Sequence, residues 1–365
     1  MPTLTDDLRI QEIRELVSPE ALLKEIPLTP AAAETVCGAR DAIHEILTGR
    51  DDRLLVVIGP CSIHDPKAAL DYARRLAALR RELAGTLEIA MRIYFAKPRT
   101  TIGWKGLIND PHLDGSYDIN TGLATARKLL AQVNELGLPA GCEFLDTTVP
   151  QYIADLVSWA AIGARTTESQ VHRELASGVS CPVGFKNGTS GNVKIAIDAV
   201  QSAAHPHNFM AVTKNGRSAI AATTGNADCH VILRGGTKPN YDAASVDAAC
   251  KAAQAAGIRG IVMIDTSHAN SGKKPENQPR VAKDIATQIA GGERRILGLL
   301  IESNLVAGRQ DQDAKPLTYG QSITDGCIDW DSSVAVLRGL ADAVTARRRL
   351  ARSAQDKGRS RTAAA

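Results

Sequence analysis

The sequence predicts an α/β fold: a (β/α)8 TIM barrel with an N-terminal helical extension and an inserted β-hairpin between barrel strands 5 and 6. Three observations predict it. Eight short apolar runs are each bounded by glycine, proline or charge. Most gaps between them carry an amphipathic helical pattern. A residue that can ionise or bind a metal stands at or just after the end of every run. Near-continuous apolar strands alternating with helices argue for a parallel sheet covered by helices. Eight such units in about 300 residues fit a closed barrel.

Taken in chain order, residues 1–50 precede the first run and read as a helical extension that serves regulation or subunit contact. The runs are LLVVIG (54–59), EIAMRIYF (88–95), PAGCEF (139–144), AAIGA (160–164), CPVGFK (181–186), HVILRG (230–235), GIVMID (260–265) and ILGLLIE (296–302). Helical patterns such as DPKAALDYARRLAALRREL and LATARKLLAQVNELG lie between them. Between the fifth and sixth runs, two β-rich stretches meet at Asn215-Gly216, a hairpin turn signal, giving an insertion at about 207–225. The catalytic barrel then spans 51–345, and 346–365 form a basic, disordered tail.

Composition bounds the function. The chain has 365 residues, 44% hydrophobic and 23% charged, which is ordinary globular usage. No apolar stretch reaches transmembrane length. The start lacks the basic and apolar regions of a signal peptide, so the expected location is the cytoplasm. The net charge of +3 belongs to the end of the chain: from Ala343 onward there are seven Arg or Lys and one Asp. The folded body is therefore mildly acidic, and the tail has no aromatics to stack bases, so nucleic acid is not an expected partner. Seven scattered cysteines without a CxxC pair do not form a secreted disulfide framework.

Barrel active sites lie at the C-terminal ends of the strands. Here those ends carry Cys61; Arg92, Lys97 and Arg99; Glu143; Arg165; Lys186; Arg234; His268; and Glu302. Six of these are cations, which repel one another unless anions sit between them, and phosphates and carboxylates are the natural guests of arginine. Cys61, His268 and Glu302, with Asp325 of SITDGC, offer a thiolate, an imidazole and two carboxylates, a donor set for a divalent metal. Read alone, Cys61 could be a metal ligand, a nucleophile or a small buried residue.

Several segments together closely resemble the type I 3-deoxy-D-arabino-heptulosonate 7-phosphate (DAHP) synthases of the feedback-regulated class. They are GPCSIHDP, MRIYFAKPRTTIGWKGLINDP, GCEFLD, WAAIGARTTESQVHRELASG, CPVGFKNGT, HVILRGG, IDTSHANSGK, IESNLVAG and PLTYGQSITDGCIDW. The resemblance runs from DDLRI to about residue 340. KPRTTIGWKG sets the chain apart from the related 3-deoxy-octulosonate 8-phosphate synthases. The resemblance implies condensation of phosphoenolpyruvate with erythrose 4-phosphate, giving DAHP and phosphate, the first step of the shikimate route to aromatic amino acids. It implies that Arg92, Arg165, Lys186 and Arg234 cradle phosphoenolpyruvate, that Lys97 lies between the substrates, and that Arg99 and Thr100 grip erythrose 4-phosphate. Cys61, His268, Glu302 and Asp325 match the metal ligands. Lys97, His268 and Glu143 are the catalytic assignments, with Glu143 helping to position a water.

The cofactor implied is a divalent metal ion, Mn first, with Fe, Co or Zn as alternatives. An aromatic amino acid effector is implied as well, bound near Asp6, Asp7, Pro150, Gln151, Ser180, Phe209 and Ala211, in a homodimer or homotetramer. Two other classes compete. A class II sugar-phosphate aldolase would want a barrel and a metal, but in a site richer in His. A non-catalytic binding protein would act through its tail, and removing the residues after about 345 would tell it from an enzyme.

Overall fold

A computed structural model describes residues 5–99 and 101–362. The extension contributes α1 (Pro19–Glu25) and α2 (Pro30–Leu47), each entered through a side-chain cap, Ser18 or Thr29, with proline in the first turn. The chain then alternates through β1 (Leu54–Gly59), α3 (Pro66–Leu83), β2 (Leu87–Arg92), α4 (Ile119–Glu135), β3 (Ala140–Glu143), the short α5 (Pro150–Ile153), β4 (Trp159–Ile162), α6 (Gln170–Gly178), β5 (Val183–Lys186) and α7 (Lys194–Ala203). The inserted hairpin is β6 (Asn208–Val212) with β7 (Ser218–Ala222). The barrel resumes with β8 (Cys229–Leu233), α8 (Ala243–Ala255), β9 (Val262–Asp265), α9 (Gln278–Ala290) and β10 (Ile296–Glu302), and the chain ends in α10 (Trp330–Thr362).

Eight parallel strands close in the order β1-β10-β9-β8-β5-β4-β3-β2, with the hairpin as a separate two-stranded sheet. The expected barrel is thus present, and so is the insertion between its fifth and sixth strands, β5 and β8. At the hairpin tip the Thr213 amide donates to the Arg217 carbonyl, and Gly216 takes the left-handed conformation at φ +82°. That is a three-residue loop with glycine where only glycine is unstrained. In GPCSIHDP, Asp65 accepts from the Lys67 and Ala68 amides and Pro66 opens α3, so the end of that motif is a helix cap.

The barrel bottom is sealed by α2. Ile43, Ile46 and Leu47 pack with Leu55, Val57, Trp159, Ile232, Met263 and Leu300 in one buried cluster. Buried Glu88 there takes ion pairs from Arg53 at 2.8 Å and Arg80 at 2.7 Å. No helix among the described residues is long and apolar enough to cross a membrane.

The extension is helical in α1 and α2, with residues 11–18 running without helix ahead of them. One expectation needs correction. The tail expected to be disordered from 346 is instead helical to Thr362, as part of α10. The reason is anchoring. Arg347 is 5% exposed and donates to the carbonyls of Asp52 and Glu293, while Arg348 pairs with the Asp52 carboxylate. Arg347 and Arg348 belong to the fold, so a truncation that tests the tail belongs beyond them.

Buried His230 accepts the Trp159 indole N–H at 3.2 Å, and its Nδ1 faces the Asp228 carbonyl. Burial pushes its pKa down to about 4, against a partial upward pull from Asp228. The unfolded chain binds this proton near pH 6.5, so the stabilising share of neutral His230 is complete above about 6.5 and is lost as the pH falls towards 4, about 3 kcal/mol in all. Urea midpoints measured between pH 7 and 4 should fall across this window. His230→Gln, which keeps an acceptor without a titrating group, should flatten the fall; an unchanged pH profile in the variant would remove His230 as the cause.

Candidate active site

Closure gathers the C-terminal strand ends around one cavity of about 680 Å³. β2, β3, β5 and β10 end on Arg92, Glu143, Lys186 and Glu302. Cys61, Arg165, Arg234 and His268 follow β1, β4, β8 and β9, while Lys97, Arg99 and Asp325 come from the loops after β2 and β10. All eleven line the cavity. Thr100, also expected here, lies outside the described residues.

The cations are held from behind. Buried Arg92 donates to the carbonyls of Pro60 and Cys61 and to Glu302 Oε1 at 3.1 Å, and its guanidinium lies 3.5 Å from the centre of the Tyr94 ring. Lys186 is 4% exposed and pairs with Asp265 at 2.8 Å. Arg99 donates to the Trp104 carbonyl and Arg165 to that of Pro98. Arg234 keeps its Nε buried with no hydrogen-bond partner among the described residues. Glu143 lies against Gly163, where an added Cβ would stand 2.3 Å from Glu143 Oε1, so the glycine makes room for that carboxylate.

Cys61, Glu302 and Asp325 each place a ligand atom within 4.8 Å of the others. A thiolate with two carboxylates in so small a space fits a divalent first-row ion. His268 lines the same cavity but stands outside this tightest group. Lys97 reaches into the group, with Nζ 3.2 Å from Cys61 Sγ and 2.6 Å from Asp325 Oδ2. Burial raises the Asp325 carboxyl, but the Lys97 ammonium outweighs it and holds the pKa down at about 2. Burial, reinforced by Glu302, pushes the Cys61 thiol up to about 11, so without a cation stronger than Lys97 it stays protonated.

One residue of the site escaped the sequence reading. Asp265, the last residue of β9, is 1% exposed; it accepts from Lys186 at 2.8 Å and from the Ser267 hydroxyl at 2.6 Å, and it lies 2.9 Å from His268 Nδ1, which also bonds the Ser267 hydroxyl at 2.7 Å. Burial opposes its charge, yet His268 and Lys186 together hold its carboxyl well below the usual range. With Nδ1 engaged, Nε2 is the atom His268 can offer to a metal. His268 also takes the left-handed backbone at φ +55°, an uncommon conformation that aims it from a tight turn.

The expected regulatory residues are only partly brought together. Pro150 and Gln151 open α5, and the Gln151 carbonyl accepts from Lys214 at the hairpin tip. Phe209 and Ala211 sit on β6, paired with Ala221 and Ala219, and Ser180 is exposed after α6. The tip also meets α1, through the Glu20 amide and the Lys214 carbonyl. Asp6 and Asp7 are exposed, and no described hydrogen bond or ion pair joins them to the other five.

Asp265→Asn breaks both ion pairs at once. It should cost about 3–5 kcal/mol of stability by leaving Lys186 without its buried counter-charge. It should also weaken divalent-metal affinity about 10–100-fold by loosening His268. Urea titration and competition with a chromogenic chelator check the two halves. Metal affinity equal to wild type would mean that Asp265 does not orient the imidazole.

The family model described as the DAHP synthetase I family matches residues 25–338. The chain is 62% identical over 344 residues to the Phe-sensitive phospho-2-dehydro-3-deoxyheptonate aldolase of Escherichia coli (strain K12), covering 94% of this chain and 98% of that one. It is 55% identical over 344 residues to the Trp-sensitive enzyme of Enterobacter agglomerans, covering 94% and 99%. The solved structure of the Francisella tularensis SCHU S4 phospho-2-dehydro-3-deoxyheptonate aldolase superimposes with a TM-score of 0.91 at 52% identity, covering 93% of this chain and 99% of that one. A barrel with this cavity, matched by the family model over most of its length and by relatives over nearly all of theirs, establishes that the chain belongs to the DAHP synthetase I family of enzymes.

Proposed function

We propose that the chain condenses phosphoenolpyruvate with erythrose 4-phosphate and water to give DAHP and phosphate. One observation carries the reading: six cations face one cavity, and the buried Nε of Arg234 has no acceptor among the described residues. A buried donor without a partner costs stability unless a ligand supplies one. The missing partner is an anion, and both substrates are anionic.

Arg92, Arg165, Lys186 and Arg234 hold phosphoenolpyruvate, and Arg99 with Thr100 grips the phosphate of erythrose 4-phosphate. Lys97 lies between the two. Cys61, His268, Glu302 and Asp325 hold a divalent metal, Mn in the first instance, with Fe, Co or Zn able to use the same donors. When bound, such an ion polarises an aldehyde carbonyl as a Lewis acid. The cations keep the two substrates aligned for attack of C3 on the aldehyde carbon, and they need no reorganisation as charge moves. Cationic character then develops at C2, where water adds, and the hemiketal phosphate collapses with C–O cleavage to release phosphate. Glu143 helps to place that water. The enzyme works in the cytoplasm, at the head of aromatic amino acid synthesis.

Regulation belongs to the same proposal. Relatives are named Phe-sensitive and Trp-sensitive, which supports an aromatic amino acid effector here. Pro150, Gln151, Ser180, Phe209 and Ala211 would line its site, with Asp6 and Asp7 supplied from the extension. Exposed Leu8, Ile10, Ile13 and Leu16, together with Met210 and Ile220 on the hairpin, support a homodimer or homotetramer that covers them. Among Phe, Tyr and Trp, one should lower the rate with a coupling of about 5–150-fold. Steady-state rates with each amino acid test this, and a rate indifferent to all three would end the regulatory reading.

The deciding experiment follows phosphate release from phosphoenolpyruvate with and without erythrose 4-phosphate. Release should require the aldehyde, stop on chelation by EDTA and return with Mn. No release with any of Mn, Fe, Co or Zn, from protein shown to be folded, would overturn the function.

A further inference from the structure

We propose that the Tyr94 hydroxyl positions the water that adds to C2 of phosphoenolpyruvate, an inference that rests on the reaction proposed above. Tyr94 follows β2, is 1% exposed and lines the cavity. Its ring is clamped on one face by the Arg92 guanidinium at 3.5 Å. Its hydroxyl is buried without any hydrogen-bond partner among the described residues. Phenylalanine would fill the same space and bind the same guanidinium, so packing and the cation–π contact do not explain the oxygen. A tyrosine hydroxyl placed in such a position points to a ligand or a water that completes it.

The surroundings indicate which. The charges felt by this hydroxyl include those of Glu143 and Asp265, while Arg92 covers the ring. Asp265 is already engaged by Lys186, His268 and Ser267. Glu143 is the carboxylate left to take a proton, and Gly163 leaves it room beside the cavity. A water between Tyr94 and Glu143 has two fixed partners for its two O–H bonds, and its lone pair faces the substrate. As its oxygen bonds to C2, the O–H directed at Glu143 gives its proton to that carboxylate. The electron pair that stays on oxygen forms the new C–O bond, and the O–H directed at Tyr94 becomes the hydroxyl of the hemiketal phosphate. Tyr94 keeps its own proton throughout and is a positioning residue.

The test is Tyr94→Phe, which deletes one oxygen and no charge. Three readouts are taken on the metal-loaded enzyme: melting temperature, dissociation constant for phosphoenolpyruvate from intrinsic fluorescence, and steady-state kinetics. The melting temperature should hold or rise, because an unpartnered hydroxyl leaves the core. The dissociation constant and KM for phosphoenolpyruvate should stay within about twofold, and kcat should fall at least about tenfold. An unchanged kcat would overturn the proposal. So would a loss confined to KM, which would make the hydroxyl a substrate-binding group, or a lowered melting temperature, which would make it structural. Wild-type enzyme assayed alongside separates this failure from failure of the proposed function, since only the latter leaves wild type without product.

Discussion

Two buried cations at the top of the barrel must keep their charge, and the rest of the site follows from how they do so. Arg92 and Lys186 are 3% and 4% exposed. An unpaired charge at such depth costs several kcal/mol, so each needs a carboxylate in direct contact. Glu302 meets Arg92 and Asp265 meets Lys186. Neither carboxylate serves one master. Glu302 also belongs to the close group with Cys61 and Asp325, and Asp265 also grips His268. The two carboxylates thus tie the cation-lined half of the cavity to the donor-rich half. Displacing either one disturbs both halves.

The same accounting bears on the anionic ligands proposed for a cavity that also contains acids. Glu302, Asp265 and Asp325 are each already committed to Arg92, Lys186 or Lys97. Arg234 retains a buried donor without an acceptor among the described residues. Under the proposed function, a ligand phosphate or carboxylate would meet cations whose paired carboxylates are already engaged, and an arginine fork is suited to hold it.

Much of this was legible in the sequence because a parallel barrel writes its core as short apolar runs. LLVVIG and ILGLLIE are strands at their exact predicted bounds, and the hairpin stands where Asn215-Gly216 placed it. The strand ends were legible too, since a charged residue after an apolar run stands out. Asp265 was not, because it closes GIVMID and read as the run's own boundary. The signal was its parity: it shares a strand face with Met263, which packs inside the barrel. The tail was misjudged for a different reason. Arg-rich, Ala-rich sequence is both a good helix former and a common disordered terminus. What decides is whether Asp52 and the Glu293 carbonyl are there to receive Arg347 and Arg348, and that is tertiary information.

Buried polar groups in this barrel are completed in some places and left incomplete in others. At the bottom, Glu88 is doubly paired by Arg53 and Arg80, and His230 is satisfied by Trp159 and the Asp228 carbonyl. Five buried side-chain polar atoms lack a partner among the described residues: two belong to Tyr94 and Arg234, which line the cavity, one to Ser158 just before β4, and the others to Asn134 on α4 and Gln288 on α9. The end that α2 seals holds a closed apolar cluster, so the open end is where a buried donor such as that of Arg234 can meet a ligand.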